Sequence, residues 1–365
     1  MRRICSYLTI VVVTATFIMM HSDICRREDD RANTQVSWKP IEASVSARGM
    51  TLTATGNRSV NVLVFARKRT GSKLTARYIA SHPGFFYVYE PGLIVTDYFD
   101  GMKGKDSKDY LIQIEPKILS LIDAIFECNF TGHEYFITYL NKMSIFRKRG
   151  LYEIPLPITI DSITLLCKSM THKVVKVVRL YSLSMATQLL KKHDIKVIHV
   201  VRDPRGTACS RGNFRGSTSL KGEERQNSSV LTAYPAIQGE VVDVCIWMQD
   251  NYDYVTSGPT WLKDNYLLLR YEDMADNPWR EVPKMYEFLK LSLPDNINEV
   301  IEGKMEFLPD NGQAWRSKVR FEDVMKIQKL CSLKIMMNFG YRPIYNQEDL
   351  TLPQSLVEDV EVYKR

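Results

Sequence analysis

Val62–Pro91 reads VLVFARKRTGSKLTARYIASHPGFFYVYEP. The near-continuous apolar run Val60–Ala66 has the pattern of a strand covered on both sheet faces. Ser72–Ser81 is predicted as a helix, stopped by His82-Pro83-Gly84, and Phe85–Tyr89 as a second short strand ending at Glu90-Pro91. Strand, phosphate-sized turn, helix, strand is a βαβ unit, so the expected fold is α/β with a central parallel sheet flanked by helices.

A turn that leaves a strand and opens a helix presents N–H groups with no intrahelical partner, at the positive end of the helix dipole. Thr70, Gly71 and Ser72 are small enough to let an anion approach, the two hydroxyls can donate, and Arg67, Lys68, Arg69 and Lys73 supply four charges. A solvated basic turn is the bland alternative. A Walker A loop is disfavoured: Leu74 follows Lys73, where Ser or Thr would stand, and Ala66 occupies the place of the first glycine.

A second unit lies downstream. Val174–Leu180 is predicted as a strand, Ser184–His193 as a helix with Ser184 at its N-cap, and Lys196–Val201 as another strand. That strand runs into Arg202-Asp203-Pro204-Arg205-Gly206-Thr207-Ala208-Cys209-Ser210-Arg211, where an Arg fork at 202 and a hydroxyl at 210 make a terminal-phosphate clamp. The alternative is an Arg–Asp staple on a strand end. Ligands of open α/β sheets gather at the carboxyl ends of strands, where both motifs fall.

Gln113–Glu127 has helical spacing, with Pro116 near its predicted start, and Arg211–Tyr234 reads as a long loop. Tyr266–Arg270 is a fifth strand, Pro278–Leu289 a helix, and Phe321–Phe339 a last helix closed by Gly340. At the N-terminus, Met1-Arg2-Arg3 precedes seventeen largely apolar residues, Ile4–Met20. This is a short membrane anchor with the N-terminus cytosolic, or a cleaved signal peptide; no small-x-small pattern follows, which favours the anchor. Residues 21–58 then form a polar luminal stem, 59–343 the main folded domain and 344–365 a C-terminal tail.

With 49 Lys+Arg against 42 Asp+Glu, the net charge of +7 favours anionic partners without the excess of a nucleic-acid-coating protein. Seven cysteines occur without any CxxC, and the His and acidic residues show no ligand spacing such as HExxH, so no metal is expected. Asn-x-Ser/Thr triplets at Asn57, Asn129 and Asn227 fit luminal exposure. The odd cysteine count in the body leaves one thiol over, or paired with Cys25 or a second subunit, and a homodimer stays open.

Together with Val62–Pro91, the segments KVVRL, KVIHVVRDPRGTACSR, YLLLRYEDMADNPWREVPKMYEFLKL, AWRSKV and CSLKIMMNFGY resemble the Golgi carbohydrate 6-O-sulfotransferases acting on galactose, N-acetylgalactosamine and N-acetylglucosamine. The resemblance spans Asn61–Tyr341. It implies a single-pass type II Golgi enzyme, luminal in its catalytic domain, that uses 3′-phosphoadenosine 5′-phosphosulfate on a hydroxyl, at C6 of a Gal, GalNAc or GlcNAc residue, of a glycan or glycosaminoglycan. The donor's 5′-phosphosulfate would lie on Arg69, Thr70, Gly71, Ser72, Lys73 and Leu74, and its 3′-phosphate on Arg202 and Ser210. Catalysis would fall to Arg69, to Glu90 as the acceptor's base, and to Lys73 as helper; Glu90 can equally cap the turn before Pro91. Lys73 departs from the family, which has Ser or Thr there, and marks either an altered site or a weakened enzyme.

Lys176 and Arg179 suit an acidic acceptor or a structural ion pair, His199 a core position, and Trp315-Arg316 the family's segment over the nucleotide. Expected disulfides are Cys128–Cys167 and Cys245–Cys331. A tyrosylprotein sulfotransferase and a non-catalytic glycan-binding relative are the competing readings.

Overall fold

The computed structural model describes residues 59–101, 107–142, 156–219, 236–305, 312–352 and 355–358. One compact unit, Gly56–Ile301 with Asp310–Arg365, carries the sheet; the other, Met1–Thr55 with Glu302–Pro309, falls almost wholly outside the described residues. The segment 4–20, the stem and the triplets at Asn57 and Asn227 lie outside them too. Among the described residues no helix is long and apolar enough to cross a membrane.

Five parallel strands, β1 (Asn61–Ala66), β2 (Phe85–Tyr89), β3 (His172–Val177), β4 (Ile195–Val201) and β5 (Tyr266–Arg270), lie in the order β2-β3-β1-β4-β5. The helices are α1 (Ser72–Ala80), α2 (Pro91–Asp100), α3 (Lys108–Glu127), α4 (Glu134–Lys142), α5 (Ile160–Ser169), α6 (Thr187–Lys192), α7 (Pro204–Ser219), α8 (Ala236–Thr256), α9 (Thr260–Asp264), α10 (Tyr271–Asp276), α11 (Pro278–Leu289), α12 (Ile297–Met305), α13 (Phe321–Cys331) and α14 (Leu333–Asn338).

The central strand explains the apolar run. Leu63 and Phe65 point into a core shared with Ile118, Ile122 and Trp247, whereas Val62, Val64 and Ala66 join Ala76, Ile79, Val282 and Met285 on the opposite face. Because side chains alternate along a strand, only residues apolar at every position satisfy both layers; each large one contributes roughly 1.5–3 kcal/mol. Through α1 the chain leaves β1 toward β2, and after β4 it turns the other way toward β5. The carboxyl ends of β1 and β4 therefore flank the topological switch point, where an open sheet leaves a crevice.

Several elements differ from the sequence pattern. Helix α3 begins at Lys108, so Pro116 sits inside it; both Pro116 and Ile112, whose carbonyl loses its helical partner, are exposed, and water can serve that oxygen. β3 is shifted to His172–Val177, and α6 starts at Thr187, with Ser184 upstream of its cap. Residues Arg211–Ser219 continue α7 instead of opening a loop, because the helix nucleated at Pro204 propagates through them. The last helix is broken at Ser332, whose φ of 71° no helix interior accommodates, into α13 and α14. The sequence pattern missed α8, although Val241, Val244, Cys245 and Met248 are buried at helical spacing.

Both expected disulfides are present, Cys128–Cys167 and Cys245–Cys331. Cys209 is buried beside Trp315 and Val319. Much of the C-terminal tail packs onto the domain: Ile344, Leu350 and Leu356 are buried, and Tyr341 bridges to Val357.

Candidate active site at the carboxyl edge of the sheet

Arg67–Gly71 reverse the chain from β1 into α1, with Arg69 at φ 70° and Gly71 at φ 94°. Gly71 meets two demands, a left-handed backbone and close packing, since a methyl there would overlap the Tyr271 ring. No side chain caps α1 and its first turn holds no acid, so its leading N–H groups and dipole are left for an anion. Ser72 is buried, Leu74 half-buried and Lys73 exposed. The Thr70 hydroxyl donates to Arg67 O at 2.8 Å and so closes the turn, a use the sequence did not reveal. Arg67 turns inward, donating to Val178 O at 3.3 Å with its guanidinium over Tyr181.

The second turn divides its arginines. Arg205 is fully buried: it forks onto Asp203 at 2.6–3.1 Å, and it donates to Gln328 Oε1 and Arg342 O, both at 2.9 Å. The Arg–Asp staple foreseen as an alternative is thus real, but it is made by Arg205. Half-buried Arg202 faces the first turn, donating from Nη1 to Arg69 O at 3.1 Å, with its guanidinium 4.2 Å over the Tyr271 ring. Less than two turns along α7, Ser210 Oγ accepts from Arg69 Nε at 2.9 Å. Next to it, Arg211 donates to Lys68 O at 3.2 Å and pairs with Glu240 at 3.0 Å. Arg69, Arg202 and Ser210 are thereby brought together. Burial first, and then the Arg202 charge, lower the Arg69 pKa. An anion between these cations would relieve their repulsion.

Glu90 is placed in a separate buried cluster. Its carboxylate accepts from Lys176 Nζ at 2.7 Å, from Arg179 Nη1 at 3.2 Å and from Val178 N–H at 3.0 Å. Burial pushes this carboxyl up, but Lys176, Arg179 and the Val178 N–H outweigh it and hold it below the usual carboxylate range. Lys176 also lies 4.3 Å over the Tyr89 ring.

Two residues of α10 belong to Tyr271-Glu272-Asp273, which the resemblance implies is a structural segment near the site. Tyr271 touches both turns, and buried Glu272 accepts the Asp203 N–H at 3.0 Å and the Tyr341 hydroxyl at 3.3 Å. Burial and the adjacent Asp203 push the Glu272 pKa up to about 8. Its proton lets a carboxyl sit against Asp203 without a second buried charge.

His199 is a core residue, bonded to Tyr266 Oη at 2.7 Å and packed against Phe65 and Trp247. Trp315 is buried over Arg205, and Arg316 donates to the carbonyls of Asp349, Leu350 and Leu352, so both anchor the C-terminal segment. Among the described residues one group could offer three metal ligands, Asp123, Glu127 and His193, but Lys192 already pairs with both carboxylates at 3.0 and 2.6 Å.

Residues 62–335 match the family model described as "Sulfotransferase domain". Human carbohydrate sulfotransferase 6 is 26% identical over 86% of this chain and 90% of its own length. Rat carbohydrate sulfotransferase 1 is 25% identical, over 85% and 86%. A mouse sulfotransferase solved in complex with PAP covers 77% of this chain and 86% of its own at 13% identity, with a TM-score of 0.41, so the likeness that matters is the one in sequence.

Proposed function

For a chain that belongs to the sulfotransferase-domain family, we propose transfer of a sulfuryl group from 3′-phosphoadenosine 5′-phosphosulfate to a hydroxyl of a glycan. One observation carries this reading: the two phosphate turns are hydrogen-bonded to each other, through Arg69 to Ser210 and Arg202 to Arg69. Two cationic turns at one crevice fit a nucleotide with an anion at each end.

The donor supplies a sulfur–oxygen bond that breaks at its phosphate as the acceptor oxygen bonds to sulfur. In this reading the N–H groups opening α1, with Thr70, Gly71, Ser72 and Leu74 shaping the turn, hold the 5′ end. Arg69 and exposed Lys73 balance the charge that grows on the departing phosphate, the larger part of what such a site can contribute. Arg202 and Ser210 hold the 3′-phosphate. Glu90 has the acceptor side. To take a proton it must loosen its bonds to Lys176 or Arg179, and its lowered pKa makes it a weak base; holding those two cations in place is the role its surroundings favour.

The finer assignments belong to the same proposal: C6 of Gal, GalNAc or GlcNAc as the acceptor position, and a Golgi type II membrane protein anchored through Ile4–Met20. Exposed Asn129 and the two disulfides support luminal exposure. The test is incubation of the chain with 35S-labelled donor and a panel of neutral and acidic glycans plus tyrosine peptides. Label on glycans is expected. Label on tyrosine peptides alone, or donor-nucleotide binding with no transfer to any acceptor, would remove the glycan sulfotransferase reading.

A further inference from the structure

Resting on the glycan reading above, we propose that a cavity between the loop after β3 and the second half of α8 is a subsite for an uncharged sugar unit of the acceptor, other than the unit that receives the sulfuryl group. The cavity measures about 410 Å³, within the roughly 300–1,000 Å³ that small-molecule sites occupy. Ser182 and Ser184 line it from the loop, Asp250 and Asp253 from the helix, and Ser257 from just beyond the helix end. None of these residues belongs to the two phosphate turns.

The walls are braced by the protein's own hydrogen bonds. Buried Asn251 of α8 accepts the Leu183 N–H at 2.7 Å and donates to Tyr181 O at 3.0 Å, so one helix side chain fastens the loop on both sides of Ser182. Glu115 of α3 accepts the N–H groups of Tyr181 and Ser182 at 3.0 and 2.8 Å. Tyr254, which also lines the cavity, meets Thr187 Oγ1 through its hydroxyl at 2.5 Å and makes a further tie. A site held in shape this way loses little binding free energy to ordering.

The lining selects the ligand. Serine hydroxyls donate and accept while carboxylates only accept, a set that complements a ring whose own hydroxyls do both. Asp250 is exposed, and Asp253 takes a neutral bond from Gln249 Nε2 at 2.6 Å, so both carboxylates keep accepting capacity for charge-assisted bonds from ligand hydroxyls. No basic residue lines the cavity among the described residues, which turns away a sulfated or carboxylated unit. Tyr181 belongs to the lining too, and its buried hydroxyl has no hydrogen-bond partner. The same residue links the cavity to the transfer site. Its ring lies 5.4 Å from the Arg67 guanidinium, and its loop starts with Val178 and Arg179, the partners of Arg67 and Glu90. A glycan that reaches both places binds its second unit intramolecularly.

Transfer of 35S label by the full chain would be followed on N-acetyllactosamine and its linear dimer and trimer, and on carboxyl-reduced chondroitin oligosaccharides of the same lengths. Gal, GlcNAc and GalNAc are then all offered without charge. In the series that is labelled, the KM is expected to fall about tenfold from the disaccharide to a longer member. Asp250→Asn and Asp253→Asn, both at exposed positions, should raise the KM of the longer acceptors about tenfold and leave kcat and the disaccharide KM within about twofold. Circular dichroism reports folding of both variants, and the unchanged disaccharide rate reports an intact transfer site. A KM independent of length, or variants that affect short and long acceptors alike, overturns the subsite while the glycan reading stands. Calorimetric binding of calcium chloride that Asp250→Asn abolishes, with every KM unchanged, would make the cavity a cation site and overturns it as well. A chain that labels no member of either series removes the glycan reading and this proposal with it.

Discussion

Glu90→Gln removes one negative charge without changing the shape of the side chain, and the structure sets the cost. The carboxylate is 2% exposed, and its cationic partners Lys176 and Arg179 are only 4% and 8% exposed. Glutamine can still accept the Val178 N–H, so the loss is that of the two ion pairs at 2.7 and 3.2 Å. Removing one partner of a buried pair leaves an uncompensated charge and costs about 3–5 kcal/mol. That is a large part of the roughly 5–15 kcal/mol that typically separates folded from unfolded chains. The double variant Glu90→Gln/Lys176→Met lays an apolar chain over the Tyr89 ring in place of the ammonium, and should recover about 2 kcal/mol. Urea unfolding of the full chain at pH 7 measures both variants, and transfer rates on the same samples divide the roles. If Glu90 is the base, the rate falls about 10²–10⁴-fold and stays low in the double variant; if it is only the counterion that keeps the buried cluster folded, the rate follows stability and recovers with it. A single variant within about 1 kcal/mol of wild type would refute the charge-cluster reasoning.

Arg69→Ala should abolish transfer, whereas Arg202→Ala should chiefly raise the donor KM, by about ten- to a hundredfold for one lost charge-assisted contact of roughly 1.5–3 kcal/mol; an Arg69 variant of normal rate would sink the assignment. In the folded chain Glu272 keeps its proton until pH of about 8, against an ordinary value of 4.5. Unfolding between those values releases a proton, so this group's contribution is intact below 4.5 and is lost as pH rises through 8. Glu272→Gln, which cannot ionise, should gain Tm relative to wild type as pH climbs from about 5 to 8; a difference that stays flat contradicts the buried neutral carboxyl. Cys245→Ser opens a disulfide with a sequence separation of 86 residues that ties α8 to α13, and should cost about 2–4 kcal/mol in thermal unfolding; an unchanged Tm argues against the bond.

The sequence by itself determined what is local. Val60–Ala66 reads as a strand covered on both faces, and Arg69–Lys73 between that strand and a helix as a small basic turn, because periodicity and small residues act over a few positions. The second turn was legible for the same reason, down to the pair Arg202 and Ser210. Beyond the two disulfides, tertiary structure decided which residues far apart in the chain meet. Asp203 proved to belong to Arg205 and not Arg202, since Gln328 and Arg342 O complete the burial of that guanidinium. Glu90 found Lys176 and Arg179 because β2 and β3 are neighbours in the sheet, an order no local pattern encodes. Tyr271 became the piece between the two turns only because β5 lies beside β4 and ends in register with it. Strand order converts residues remote in sequence into contacts, and a sheet order is fixed by the packing of whole layers, not by any one segment.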